Sequence, residues 1–217
     1  MNQCIEHELA WDCATGNGQA ARSLTPFFDN VVATDASDQQ IASAEPHPKI
    51  EFRVVPAESS GIGTDSVGLI TVAQALHWFD IERFFDQACR VLKPGGVLAV
   101  WAYERCQVGP ECNEVIEKIF AEVESCWPPE RNIVEGHYRD VTMPMPEIAV
   151  DSFEMQLEWT ADEMLSYMRT WSATQRYMQA KGSDPVALFE RELSQKWADK
   201  KRDLRWPLTL KVGRKAA

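Results

Sequence analysis

The feature that most constrains the fold is a strand, turn and helix pattern near the start of the sequence. An apolar run, Leu9–Cys13, leads into a turn with glycines at Gly16 and Gly18, after which a helix opens. Such a turn lets backbone N–H groups approach a ligand at a helix N-terminus. The next apolar run ends at Asp35, where a carboxylate can accept hydrogen bonds from ribose hydroxyls. The pattern therefore predicts a nucleoside cofactor.

The first half of the chain alternates between predicted strands and helices. Its predicted elements are strands at 9–13, 30–34, 50–55, 67–73 and 97–101, with helices from about residue 20, at 37–44 and at 81–92. The segment Lys93-Pro94-Gly95-Gly96 is predicted to break the last helix before the fifth strand. Strands separated by helices indicate βαβ units, and hence a parallel sheet with right-handed crossovers.

The second half of the chain has a different character. Its predicted elements are a helix at 111–126, a proline-rich loop or lid at 127–147, a strand at 148–159, a helix opened by a capping box at Thr160 and Glu163, a helix at 184–200 and a strand at 205–212. We predict a single domain over residues 1–217, with a cofactor-binding half at 1–103 and a C-terminal half with a substrate lid at 104–217.

Composition narrows the classes of partner. The net charge of −11 argues against a nucleic-acid partner, because phosphate binding requires a basic face. No apolar run approaches the roughly 20 residues that span a bilayer, so no membrane partner is expected. The first residues lack the pattern of a signal peptide, which predicts a cytoplasmic protein. The six cysteines lack the spacing of a zinc site, so we expect free thiols and no metal.

Asp12 and a polar, aromatic segment after the fourth strand refine the prediction. Gly16-x-Gly18-x-x-Ala21 fits the dinucleotide fingerprint, but this match alone is weak and leaves a nucleotide-linked oxidoreductase open. A carboxylate at Asp12 would repel a pyrophosphate and attract an ammonium group. The segment 74–79 lies at the edge of the sheet where open α/β folds bind ligands.

The ordered motifs resemble those of class I S-adenosylmethionine-dependent methyltransferases. The residues that carry the resemblance are Asp12-x-Ala14-x-Gly16-x-Gly18, Asp35, Gln74-Ala75-x-His77-Trp78-Phe79 and Arg90-Val91-Leu92-Lys93-Pro94-Gly95-Gly96. Thr15-Gly16-Asn17-Gly18-Gln19-Ala20-Ala21 and Arg169-Thr170-Trp171-Ser172 are similar to the subgroup related to trans-aconitate methyltransferases. The resemblance implies a Rossmann-like sandwich with a mostly parallel seven-stranded sheet, an antiparallel last strand, and S-adenosyl-L-methionine as cofactor.

The resemblance also implies a set of cofactor-binding residues. They are Asp12, Ala14, Thr15, Gly16, Asn17, Gly18, Asp35, Ala36, Gln40, Ala57, Glu58, Gln74 and Ala75. Asp12 would hold the cofactor's amino group, directly or through water, and Asp35 would accept from both ribose hydroxyls. Ala57 and Glu58 would flank the adenine. The residues alone leave other interpretations open: Asp35 is also placed to cap the next helix, and Asp12 to form the turn.

For the methyl acceptor, the resemblance implies a small molecule, with a carboxylate as one option. His77 and Trp78 would lie near the transferred methyl group, and His77 is a weak candidate for a general base. Arg169 and Arg176, placed seven residues apart on one predicted helix face, would receive a substrate carboxylate. The alternatives are a rim histidine in a polar contact, a packing role for Trp78 and a solvated face for the two arginines.

The sequence departs from the resembled pattern at two places. Pro56 stands where many relatives carry an acid, which puts the hydrogen bond to the adenine amine in doubt. Relatives also carry a helical segment before the first strand, whereas about eight residues precede it here. We therefore keep as an alternative a truncated, non-catalytic chain that only binds the cofactor.

Overall fold

The computed structural model describes residues 7–198 and 200–217. Its strands are β1 (Leu9–Cys13), β2 (Asn30–Asp35), β3 (Ile50–Val54), β4 (Val67–Ala73), β5 (Leu92–Tyr103), β6 (Phe153–Trp159) and β7 (Arg202–Arg214). Its α-helices are α1 (Gln19–Leu24), α2 (Asp38–Ala42), α3 (Ile81–Val91), α4 (Pro110–Glu122), α5 (Asn132–Glu135), α6 (Ala161–Arg169), α7 (Ser172–Lys181) and α8 (Glu190–Trp197). Short 3-10 turns lie at Ala57–Ser59, Leu76–Trp78, Glu124–Cys126, Pro129–Arg131 and Val186–Leu188.

The strands form one sheet of seven in the order β3-β2-β1-β4-β5-β7-β6. β1 pairs in parallel with β2 and β4, β2 with β3, and β4 with β5. β6 and β7 pair antiparallel, with Met155 opposite Trp206. The predicted fold class, a mostly parallel seven-stranded sheet with an antiparallel strand at its end, is confirmed.

The central strands are buried along nearly their whole length, as expected where helices cover a parallel sheet. Every residue of β4 from Val67 to Val72 is buried, and β1 is buried from Ala10 to Cys13. Their apolar runs bury side chains on both faces, so both strands have the bounds that the sequence predicted. α3 presents Phe84, Phe85 and Ala88 as its buried face.

The chain divides into two compact units. The first comprises Met1–Ala102, His137–Ser152 and Thr209–Ala217, and the second comprises Tyr103–Gly136 and Phe153–Leu208. The first unit has a core around Ala10, Val31 and Leu69, whereas the second has its own core around Ile119, Met164 and Trp197. The segment predicted as a lid is thus shared between the units. The single domain and its two halves stay a prediction.

The predicted end of the helix before Lys93–Gly96 is confirmed, since α3 ends at Val91, but β5 begins at Leu92 and not at Val97 as predicted. Gly95 has φ +78°, and its N–H donates to the carbonyl of Lys215, whose own N–H donates to the carbonyl of Gly96. The hydrogen-bond partners come from the far end of the chain, which a local reading of the sequence does not include.

Three predictions for the second half are also corrected. The strand predicted at 148–159 begins only at Phe153, and the helix predicted at 184–200 is limited to α8, after a 3-10 turn. A separate α7 was not predicted, because the helix opened at Thr160 was expected to include both Arg169 and Arg176. α7 is polar, and only Ala173, Thr174 and Tyr177 are buried in it, so its apolar periodicity is weak.

No helix among the described residues combines the length and apolar character that crossing a membrane requires. The same residues contain no group of three or more His, Cys, Asp or Glu side chains placed to hold a metal ion.

Candidate functional site

The glycine turn after β1 has the conformation that its residue types allow. Gly16 has φ +59° and Gly18 has φ +89°, in the left-handed region that favours glycine. Gly18 is also the N-cap of α1. A Cβ atom added to Gly18 would lie 2.8 Å from the ring of Phe52 on β3, so any other residue would have to displace this ring and also adopt the left-handed backbone conformation.

Asp35 connects this turn to the end of β2. Its Oδ2 accepts the N–H of Gly16 at 2.9 Å, and its Oδ1 accepts the N–H of Ser37 at 2.9 Å. The N-cap of α2 is Ser37, whose hydroxyl accepts the N–H of Gln40. Each carboxylate oxygen has a further lone pair, so the half-buried Asp35 can still accept from hydroxyl groups.

Asp12 lies beneath the turn, covered by protein atoms. Asp12 is only 1% exposed. Its carboxylate accepts hydrogen bonds from the Thr15 hydroxyl at 2.5 Å and the Thr71 hydroxyl at 2.7 Å. Burial raises the pKa of Asp12, while these two hydrogen bonds oppose that rise. This geometry favours an indirect role over direct contact with a ligand.

Two non-glycine residues near the turn adopt left-handed backbone conformations. Ala14 has φ +55° and Gln74 has φ +57°, and they follow the carboxyl ends of the adjacent strands β1 and β4. The N–H of Gln74 donates to the carbonyl of Trp101. Such conformations cost about 1–3 kcal/mol each and concentrate at functional sites. Neither residue type predicts such a conformation from the sequence.

Ala57 and Glu58, predicted to flank the adenine, lie in the 3-10 turn after β3. Ala57 is buried. The Glu58 Oε1 accepts the N–H of Asp80 at 2.9 Å, and Asp80 is the N-cap of α3. A carboxylate at this position interacts favourably with the helix dipole. The adenine role of these two residues stays a prediction.

The remaining predicted cofactor residues surround the turn at different exposures. Thr15 and Ala75 are buried, whereas Asn17, Ala36 and Gln40 are exposed. The Gln40 Oε1 lies 3.8 Å from the position that a Cβ atom would take on Gly16, which brings this side chain next to the turn.

His77 and Trp78 lie together in the 3-10 turn after β4. Their ring centroids are 4.7 Å apart, and Trp78 is 53% exposed. Phe79 packs on Phe84, with ring centroids 4.9 Å apart, which agrees with a packing role. Trp78, in contrast, presents a large aromatic surface to solvent.

The prediction that Arg169 and Arg176 share one helix face is wrong. α6 ends at Arg169 and α7 begins at Ser172, because Trp171 has an extended backbone with ψ 137°. Arg169 donates to Asp184 and Glu190, each at 2.7 Å, whereas Arg176 is exposed on α7. The structure therefore does not bring the two guanidinium groups together as one carboxylate site.

The sequence reasoning missed two threonines that support the turn. Thr71 lies opposite Asp12 in the register of β1 and β4, and Thr34 accepts the indole N–H of Trp11 at 2.9 Å. Both threonines are buried polar residues within apolar strands. A polar residue inside an apolar strand is the sequence feature that could have identified both threonines.

Comparison with known proteins identifies the class of protein to which this fold belongs. A family model described as a methyltransferase domain matches residues 11–100. A Dictyostelium discoideum protein classed as a methyltransferase is 30% identical over 188 residues, which cover 84% of this chain and 72% of that protein. A Saccharomyces cerevisiae protein classed as an S-adenosylmethionine-dependent methyltransferase is 33% identical over 100 residues. The match covers 42% of this chain and 34% of that protein.

A solved structure agrees with these relatives. The structure of an Anaeromyxobacter dehalogenans protein, classed as a type II methyltransferase, has a TM-score of 0.92 and 34% identity, and the match covers 100% of this chain and 94% of that one. The chain belongs to the class I, S-adenosylmethionine-dependent methyltransferases, and it is an enzyme. The oxidoreductase alternative is not retained.

Proposed function

We propose that the first unit binds S-adenosyl-L-methionine at the glycine turn and that the enzyme methylates a small molecule with a carboxylate group. The observation that carries the cofactor part is the hydrogen bond between the Asp35 carboxylate and the Gly16 N–H. It joins the tip of β2 to the turn after β1, at the edge of the sheet where open α/β folds bind ligands.

The residues around the turn fit the cofactor chemically. Asp35 retains lone pairs for the two ribose hydroxyls. Gly16 and Gly18 keep side chains out of the turn, and Gln40 borders it. We infer that Asp12 acts on the cofactor's amino group through the turn or through water, because its carboxylate is enclosed by protein.

The cofactor supplies an electrophilic methyl group on a sulfonium sulfur. The protein then has to hold the acceptor in line with that group, since alignment removes most of the entropic barrier. A carboxylate is already nucleophilic and needs no general base. We assign His77 no proton-transfer step for such an acceptor. The exposed indole of Trp78 offers a π face to a nearby cation.

Equilibrium binding of S-adenosylhomocysteine by calorimetry tests the cofactor site. Asp35→Ala should weaken binding by roughly tenfold or more, because at least one hydrogen bond to the ribose and the support of the turn are lost. Asp38→Asn is the matched control, since Asp38 is exposed and, among the described residues, its side chain accepts only the N–H of Gln39. This control should stay within about twofold of the wild type.

Either of two results would remove this proposal. One is the absence of binding to the folded wild type up to millimolar ligand, and the other is unchanged affinity in Asp35→Ala. The acceptor class is tested separately, by mass spectrometry of products from panels of small carboxylic acids, phenols and amines. Methylation confined to phenols or amines would contradict the carboxylate assignment.

A further inference from the structure

The second unit contains a cavity that the preceding sections have not used. Its volume is about 280 Å³, and its lining includes two arginines, Arg105 and Arg131, and two aromatic residues, Phe120 and Trp127. Its size is at the lower end of the range for small-molecule sites. All the residues that line it belong to the second unit.

The two arginines lie over a pair of stacked rings. Phe120 and Trp127 stack with centroids 4.9 Å apart. The guanidinium carbon of Arg105 is 3.9 Å from the Phe120 centroid, and that of Arg131 is 4.2 Å from the Trp127 centroid. The attraction between each cation and the ring below it fixes the position of both guanidinium groups. They therefore form a pre-organised pair of donors.

Two carboxylates of the protein already bind these donors. Glu117 accepts from the Arg105 Nη1 at 2.5 Å, and Glu135 lies between the two arginines. The Glu135 Oε1 accepts from the Arg131 Nε at 3.0 Å, and its Oε2 accepts from an Arg105 Nη at 3.4 Å. Within the described part of the chain, the two terminal nitrogens of Arg131 donate to no other residue. The contact with Glu135 thus uses only the Nε–H of the Arg131 guanidinium group and leaves its terminal N–H groups for a ligand.

Glu135 is held by little else. It is the last residue of α5, a helix of four residues that ends at Gly136. A helix this short has little stability of its own. Leaving the cavity would cost the side chain its two arginine contacts, which a bound carboxylate would replace. A carboxylate that replaced it would leave the charge of the site unchanged, although Glu117 and Glu124 also line the cavity.

We propose that this cavity binds a small planar carboxylate between Arg105 and Arg131, and that Glu135 occupies the carboxylate position until the ligand displaces it. The stacked rings of Phe120 and Trp127 supply the apolar side of the site. The proposal rests on the proposed function only in identifying this carboxylate with the methyl acceptor. Binding itself does not depend on the cofactor.

Calorimetric titration with benzoate tests this proposal, with benzamide as the neutral probe of the same shape. In Glu135→Gln, benzoate affinity should rise about five- to tenfold, because the internal competitor loses its charge. Glu130→Gln is the matched control: it removes the same charge from an exposed residue five positions earlier that does not line the cavity. Affinity in this control should stay within about twofold of the wild type.

Arg131 supplies the second arm of the test, in the Glu135→Gln background. Arg131→Met should weaken benzoate binding by about tenfold or more, and Arg131→Lys should weaken it as well, because an ammonium group lacks the planar fork. The lysine variant keeps the charge, so it remains informative if the methionine variant does not fold. Benzamide should bind more weakly than benzoate only where Arg131 is present.

Three results would overturn the proposal: no benzoate binding to Glu135→Gln at about 10 mM, equal affinity in the Glu135 and Glu130 variants, or equal binding of benzoate and benzamide. S-adenosylhomocysteine is titrated into the same variants. If benzoate binds and S-adenosylhomocysteine does not, the proposed function is contradicted. If S-adenosylhomocysteine binds and benzoate does not, the carboxylate site is contradicted.

Discussion

At the scale of single residues, the turn after β1 depends on a buried carboxylate. Asp12 is enclosed, and its two oxygens accept from hydroxyls on different elements, Thr15 in the turn and Thr71 on β4. Burying an ionised carboxylate is costly unless its hydrogen bonds are made. The two threonines therefore offset part of the cost of burying the Asp12 carboxyl group.

Thr71→Val tests this dependence. A folded-state pKa raised above the unfolded value gives stability that is present at low pH and lost as pH rises. Removing the Thr71 hydroxyl raises the pKa of Asp12 further, so the variant should lose more stability at pH 7 than at pH 4. We expect about 1–2 kcal/mol at pH 7.

The measurement is urea unfolding at both pH values. Thr71→Ser, which keeps the hydroxyl, should recover most of the loss. An equal loss at both pH values would instead indicate that Thr71 contributes only by packing.

At the scale of elements, the end of α3 is joined to the end of the chain. The ammonium group of Lys215 donates to the carbonyls of Cys89 and Leu92 and to Asp65, each at 2.7 Å. A cation at this end of a helix also interacts favourably with the helix dipole. This contact fixes the C-terminal segment beside the irregular start of β5.

Lys215→Met should lower the free energy of unfolding by roughly 1–2 kcal/mol, because the carbonyls of Cys89 in α3 and Leu92 at the start of β5 lose a charged donor. The side chain is 27% exposed, so water replaces part of the lost interaction. Chemical denaturation measures the change, with Lys200→Met, at an exposed lysine, as the control. A loss of equal size in the control would show that the contacts of Lys215 contribute nothing specific.

The sequence predicted elements well where a continuous apolar run was enough to define them. β1 and β4 have their predicted bounds, because their side chains are buried on both faces. The start of β5 was missed, because its partner is Lys215 at the other end of the chain. The break between α6 and α7 was missed, because no glycine or proline marks it at Trp171.

The same distinction applies to the candidate site. The positions of Gly16, Gly18 and Asp35 were evident from residue type and order. The hydrogen bond from Thr71 to Asp12 depends on the register between β1 and β4, which no local pattern contains. The cavity near Arg131 depends on the stacking of Trp127 on Phe120, which brings both rings beside Arg105 and Arg131.

At the scale of the whole molecule, the two compact units have separate cores and separate candidate sites. The glycine turn, Asp35 and Gln74 all belong to the first unit, while Arg105, Arg131 and Glu135 belong to the second. A ligand that binds only the folded state stabilises the region that contacts it, by an amount set by its concentration and affinity.

Hydrogen exchange with and without S-adenosylhomocysteine should therefore separate the two units. At about 100 times its dissociation constant the ligand stabilises the folded state by about 2.7 kcal/mol. Added protection should concentrate in residues 9–24, 30–42 and 67–79 of the first unit, which hold the turn, Asp35 and the segment after β4. Benzoate added to Glu135→Gln should instead protect residues 110–135 of the second unit. If S-adenosylhomocysteine protected only the second unit, the glycine turn would not be the cofactor site, because backbone amides that contact a bound ligand exchange more slowly than those that do not.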